Sequence, residues 1–275
     1  MQSLNARAAI LSVVIFIVIV AIWEIANQPP EVKEALTEYE RLLGGSEQQA
    51  RVPNPSEIGA LAIKELSDPF YDKGPNDKGI GLQLLYSLQR VASGYFLAAL
   101  VAIPLGFLIG MSPLMSKALD PFIQVLKPIS PLAWMPLALF VIKDSELSSV
   151  FVIFICSIWP MLINTAFGVG AVKRDYVNVA RTHELGKIRT AFLVILPAAA
   201  PTILTGMRIS IGIAWLVIVA AEMLVGGTGV GYYVWNEWNN LDLTSVVFSI
   251  LMIGFVGMML DLMLARATKL VQYVE

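Results

Sequence analysis

The chain has 275 residues, 57% of them hydrophobic, with a mean hydropathy of +0.71 and a net charge of −2. That apolar share is too high for a soluble domain, and the charges fall in blocks between long apolar runs, so a membrane protein with no nucleic-acid partner is expected. The single cysteine, Cys156, lies inside an apolar run, which excludes a disulfide framework and a Cys-based metal site.

Ala8 to Ala26 reads as the first span: Arg7 precedes it, and only Ser12 interrupts the run to Trp23. A cleaved signal peptide is the rival reading. Cleavage after Ala26 would set Glu24 where a small residue belongs, which favours an uncleaved anchor. Asn27 to Gln83 is polar, with ten acidic and six basic residues. Within it Glu31 to Leu43 suits a short surface helix, and Pro53-Asn54-Pro55-Ser56 a turn, with Ser56 opening a helix to about Leu66. This block is too small and polar to bury much of a core, and reads as a cap on the membrane part.

The second span runs from Leu84 to Gly110, with Gln89 and Arg90 at its entry. A third, from about Leu119 to Ile142, carries Pro121, Pro128, Pro131 and Pro136. So many prolines cannot make one straight helix, because each removes a donor and clashes with the preceding turn. Broken backbone at membrane depth is tolerated only where protein or a water-lined cavity satisfies it. The span is therefore expected to border the route through the protein, the alternative being a kink that only shapes packing. After a polar turn at Lys143 to Glu146, the fourth span covers Leu147 to Val169, the fifth Ala198 to Leu224 and the sixth Ser245 to Leu264. Between the last two, Gly226 to Asp242 is glycine-rich and then aromatic, and Tyr232, Tyr233, Trp235 and Trp238 suit the lipid headgroup level.

Between the fourth and fifth spans, Lys173 to Pro197 carries five basic and two acidic residues. Val177, Ala180, Leu185 and Ile188 can form an apolar ridge while Arg181, Lys187 and Arg189 stay solvated, a pattern suited to a handle gripped from outside the membrane. His183, the only histidine, is read as a solvated residue of this handle. With six spans both termini share a side, which holds Arg7, Lys117, the five basic residues of the handle, Arg266 and Lys269. The opposite side has Lys143 in one turn, no Lys or Arg between Gly226 and Asp242, and the Asn27–Gln83 block, whose basic residues are outnumbered by its acids, so termini and handle are expected in the cytoplasm.

The handle resembles the EAA loop of ABC-importer permeases, the cytoplasmic coupling helix that docks on a partner ATPase. Asn178, Val179 and Ala180 fall in the Glu-Ala-Ala slots counted back from Leu196-Pro197. Only Ala180 matches, and Gly186 sits two places past the family glycine. The stretch Leu119-Asp120-Pro121-Phe122 through Trp134-Met135-Pro136 is similar to permeases of the nitrate/sulfonate/taurine group. So are Ser87-Leu88-Gln89-Arg90-Val91 with Gly94, Thr205-Gly206-Met207-Arg208, and Val219 to Gly227. Ser157-Ile158-Trp159-Pro160, Asn164-Thr165 and Lys78 to Gln83 look most like the nitrate and bicarbonate members.

The resemblance implies an all-α integral membrane protein with six transmembrane helices and the MetI-like fold of type I importer permeases, carrying a cytoplasmic coupling helix. The parts would be an N-terminal helix (1–26), a periplasmic segment with short helices (27–83) and a permease core (84–275) with the coupling helix at about 173–190. It implies a non-catalytic homodimer in a bacterial inner membrane, served by cytoplasmic ATPase subunits that bind ATP and magnesium and by a periplasmic or lipid-anchored substrate-binding protein. The chain itself would hold no cofactor or metal, and it has no phosphate-binding loop around its one Gly-Lys pair, Gly186-Lys187. Nitrate leads as cargo, with nitrite, bicarbonate, cyanate and sulfonates or taurine behind it. Transport would proceed by alternating access. A secondary transporter or channel would be expected to show paired half-repeats or more ionisable residues in its spans. A scaffold would not explain the proline-broken span and Arg208.

Val177, Ala180, Arg181, Leu185, Gly186, Leu196 and Pro197 are the candidates for coupling to the ATPase. Ser130, Trp134, Asn164, Thr165, Arg208 and Glu222 are candidates for the substrate path. Arg208 reads either as a structural or gating residue or as an anion contact, and Glu222 as an interspan partner or outer gate. Glu24 and Asp261 lie near span ends, where interfacial solvation would account for them.

Overall fold

The computed structural model describes residues 2–27, 52–74 and 77–271 and is built mainly of helices. The surface helix expected over residues 31–43 lies outside the described residues. Five helical stretches are long and apolar enough to cross a membrane: Ala6–Ala26, Ile80–Met111, Ser145–Gly170, Lys187–Val225 and Leu243–Lys269. A bent helix pair, taken as one, makes six. The chain divides into two compact units, one from residues 1–81 and 233–252, the other from residues 82–232 and 253–275.

In the first unit, α1 (Gln2–Ala26) exposes nearly all its apolar surface, and Glu24 near its end is not left to solvent. Its carboxylate accepts hydrogen bonds from the Ser56 backbone N–H (3.1 Å) and hydroxyl (2.8 Å) at the start of α2 (Pro55–Ser67). The helix start therefore differs from expectation. Asn54, with extended backbone, is the N-cap, Pro55 takes the first helical position where its missing N–H costs nothing, and Glu57 accepts from the Asn54 N–H at 3.0 Å. A short antiparallel pair unforeseen from sequence follows, β1 (Asp72–Gly74) with β2 (Asp77–Lys78). An Asp72–Lys78 ion pair crosses it. Gly79 and Gly81 then donate to Tyr71 O and Pro69 O, and a Cβ on Gly79 would collide with the Pro69 carbonyl. Asp242 caps the last helix of the chain, accepting from Thr244 N and Ser245 N at 3.0 and 3.1 Å.

The second unit is organised around α3 (Ile80–Met111), α6 (Ser145–Gly170) and α9 (Leu196–Val225). Lipid tails are as apolar as Leu, so burial gives little drive between spans, and close van der Waals approach replaces it. Glycines make that approach possible. A Cβ on Gly106 of α3 would fall 2.6 Å from Thr165 Cβ of α6, and one on Gly206 of α9 would fall 2.6 Å from Asn164 Cβ. Ser210 of α9 donates to Ser157 O of α6 at 2.7 Å, and Tyr95 of α3 donates to Met207 O at 3.1 Å. The terminal helix α11 (Leu243–Val271) joins α9 through Trp215 Nε1 to Ile253 O at 2.9 Å.

The expected third span is not one element. It consists of α4 (Pro113–Leu126) and α5 (Pro131–Ile142), bent by 92° across residues 127–130. Pro113 and Pro131 each start a helix, Pro121 and Pro136 sit inside one, and Pro128 lies in the break. Lys143, in the left-handed region at φ 59, ends α5, and Asp144 accepts from Leu147 N at 2.7 Å to start α6.

The handle is likewise two pieces, where one helix over residues 173–190 was expected. Helix α7 covers Arg174–Thr182, and the chain reverses through Glu184 at φ 54, with Leu185 N bonded to Ala180 O. Gly186 then caps α8 (Lys187–Thr190), which runs through a π-turn at Ala191–Ile195 into α9. The fifth span so begins eleven residues before Ala198, because nothing between Lys187 and Leu196 interrupts the helical backbone. The glycine-rich loop before the sixth span leads into α10 (Val230–Asn239), on which Trp235 and Trp238 are exposed while Tyr233 is buried.

Candidate functional site

Helix α7 packs its one small residue, Ala180 (2% exposed), inward and leaves Val179 (57%) and Tyr176 outward. Together with His183, Leu185, Leu193, Val194, Pro197 and Ala198 these residues line an open, apolar cleft of about 530 Å³. The expected ridge is only partly realised: Val177 and Leu185 are half-buried, but Ile188 is 75% exposed because the chain has already turned into α8. Arg181 and Gly186 are exposed beside the cleft. Leu196 packs into the core cluster of Val169, Ile195, Ala199 and Ile203, which fixes the base of α9. An apolar cleft flanked by solvated cations is a surface shaped to receive another element.

A second constellation surrounds Glu222 of α9, 1% exposed. Its carboxylate accepts from Arg90 Nη1 at 2.8 Å, Ser87 Oγ at 2.8 Å and Gly231 N at 3.0 Å. Arg90 also donates to Thr228 O, while the N–H groups of Gly229 and Val230 donate to Gln83 Oε1 (2.7 Å) and Ser87 Oγ (2.9 Å). The unpaired amides at the start of α10 are thereby satisfied, and a negative charge sits at the positive end of that helix. Gly229 is required here, since a Cβ would overlap the Glu222 carboxylate. The sequence reads Glu222 as an interspan partner or outer gate but does not name these groups as its partners. The signal was present: Gln83, Ser87 and Arg90 recur at i, i+4 and i+7, one polar stripe entering an apolar helix.

Arg208, also on α9, meets Asp261 of α11 in a two-pronged ion pair, Nε and Nη2 each 2.6 Å from a different carboxylate oxygen. Solvation alone therefore does not account for Asp261. The two side chains are 44% and 48% exposed. The remaining path candidates do not converge with it. Asn164 donates to Pro160 O and packs on Gly206, and Thr165 is buried against Gly106, so both serve helix contacts. Trp134 stacks edge-on to Phe151 at 6.5 Å, and Ser130 is exposed at the break before α5. Arg208 and Glu222 lie about 21 Å apart along α9 by helix rise.

A sequence model of the family described as "binding-protein-dependent transport system inner membrane component" matches residues 102–272. The nitrate import permease protein NrtB of Synechocystis sp. is 45% identical over 222 residues, which is 81% of this chain and 81% of that protein. The bicarbonate transport system permease protein CmpB of Synechocystis sp. is 45% identical over 204 residues, 74% of this chain and 73% of that one. A chain of the MetNI methionine ABC transporter superposes with a TM-score of 0.62 over 70% of this chain and 95% of that chain, at 12% identity, which is a likeness of fold.

Proposed function

The chain belongs to the family of binding-protein-dependent transport system inner membrane components, and from that premise we propose that it is the translocating subunit of a nitrate importer. It is a multi-pass ABC permease subunit and not an enzyme, ATP hydrolysis residing in a separate partner. The observation that carries the cargo reading is 43–48% identity to three nitrate import permeases. Bicarbonate is the second reading, favoured by 45% identity to a bicarbonate permease.

In the proposed assembly two copies face each other, a cytoplasmic ATPase docks in the α7 cleft of each, and a substrate-binding protein delivers the anion to the other face. Closure of the ATPases pushes on α7. That push passes into α9 through the continuous α8–π-turn run, so the core helices tilt as rigid bodies and alternate access. The excess of Lys and Arg on one side supports a cytoplasmic position for both termini and for α7.

The test is ATP hydrolysis by the reconstituted assembly across nitrate, nitrite, bicarbonate, cyanate and taurine. Strongest stimulation by nitrate is expected. Stimulation led by bicarbonate would replace the first reading with the second, and uptake that needs no ATPase subunit would overturn both.

A further inference from the structure

Arg208 and Asp261 both lie within stretches apolar enough to span a membrane, and both are about half-exposed on the surface of this chain. Lipid is a costly neighbour for an open ion pair, so water or a second copy faces it. The pair is not the sole link between α9 and α11. Trp215 already bonds Ile253 O at 2.9 Å, and Gly257 packs against the same indole, about two turns along α9 from Arg208. There is also room beside the fork. Gly212, one turn on from Arg208, and Gly254, about two turns before Asp261, are both exposed, and a Cβ at either would meet nothing within 4 Å.

Among the described cations of the five long apolar stretches, Arg208 is the one that lies away from an end turn and is exposed enough to change partner. Arg90 is 13% exposed and committed to Glu222 and Thr228 O. Arg7, Lys187, Arg189, Arg266 and Lys269 lie in the end turns of their stretches. The Arg208 fork holds two coplanar oxygens of a singly charged group. A small planar oxyanion such as nitrate or bicarbonate offers the same pattern at the same charge.

We infer that Asp261 is a built-in stand-in for the transported oxyanion: it occupies the Arg208 fork between turns, yields it to the passing anion, and displaces that anion when it returns. The role rests on the oxyanion cargo proposed above. Replacement of one anion by another at the same guanidinium keeps the charge at the fork unchanged. The freed Asp261 stays solvated, and its repulsion keeps the anion's stay short, as conduction requires.

The experiment uses the full assembly of permease, ATPases and binding protein in proteoliposomes, with labelled nitrate, and compares Asp261→Asn with the charge exchange Arg208→Asp/Asp261→Arg. Asp261→Asn keeps the shape but removes the competitor. Nitrate retained by the washed assembly should rise and turnover should fall, each by about tenfold, the size of one charge-assisted hydrogen bond. The charge exchange should recover the thermal stability lost in Arg208→Asp, yet leave nitrate uptake reduced by a similar factor. Recovery of uptake by the exchange would make the pair a structural clasp and overturn the inference, as would unchanged retention and turnover in Asp261→Asn. If the unaltered assembly is stimulated by no planar oxyanion, the cargo reading itself fails. If it takes up nitrate and the variants behave as a clasp predicts, only the stand-in role falls.

Discussion

Arg90 Nη1 lies 2.8 Å from Glu222 Oε1, and with only 1% of Glu222 exposed its charge depends on that guanidinium, Ser87 and the start of α10. Removal of one member of such a buried pair leaves an uncompensated charge, at a cost of about 3–5 kcal/mol, whereas neutralising both costs much less. Arg90→Met should therefore lower the melting temperature of the purified protein more than Arg90→Met/Glu222→Gln does. Equal losses would show that the other donors suffice.

Close helix approach yields a second prediction from two glycines of opposite surroundings. Gly206→Ala places a methyl 2.6 Å from Asn164 Cβ, whereas Gly254→Ala meets open space. Overpacking of this kind costs about 1–3 kcal/mol. The first variant should melt earlier than the parent and the second should not, and a reversed order would contradict the packing described for α6 and α9.

The β1–β2 pair should respond to acid. The hydrogen bond from Lys78 holds the Asp72 carboxyl below its ordinary value of 3.8, with the Gly74 N–H and the Lys78 charge adding to it. A carboxylate whose pKa is lowered by folding contributes order above its unfolded pKa and loses it as pH falls through the lowered value. Amide protection of Gly79 and Gly81, corrected for intrinsic exchange, should hold from neutrality to about pH 4 and decline below that. In Asp72→Asn the decline should vanish. Its persistence would assign the acid response elsewhere.

Much of this architecture was legible in the sequence because apolar length and proline placement are local signals. The runs ending at Ala26, Met111, Gly170 and Val225 sit within a few residues of expectation, and the prolines of the third span produced the break they implied. Pairings across long separations were not legible. Glu24 with Ser56, Glu222 with Arg90 and Asp261 with Arg208 are 32, 132 and 53 residues apart; the Gln83-Ser87-Arg90 stripe marks one side of the second pairing, but no periodicity within one helix names the partner. The handle was half-read for a related reason: amphipathic spacing located α7, but the reversal at Glu184 needs a non-glycine residue in the left-handed region, which turn chemistry does not favour. That reversal moved Ile188 from the expected ridge to the surface.

The central claim is that work done by a partner ATPase enters this chain at the α7 cleft, and Val179→Asp tests it most directly. Val179 is 57% exposed on the cleft, so a charge there spoils an apolar docking surface without disturbing the permease core. Nitrate-stimulated ATP hydrolysis by the reconstituted assembly, measured beside the melting temperature of the isolated permease, should be lost in Val179→Asp while the melting temperature stays that of the parent. Hydrolysis and uptake at the parent's level, with the charge in place, would contradict the account.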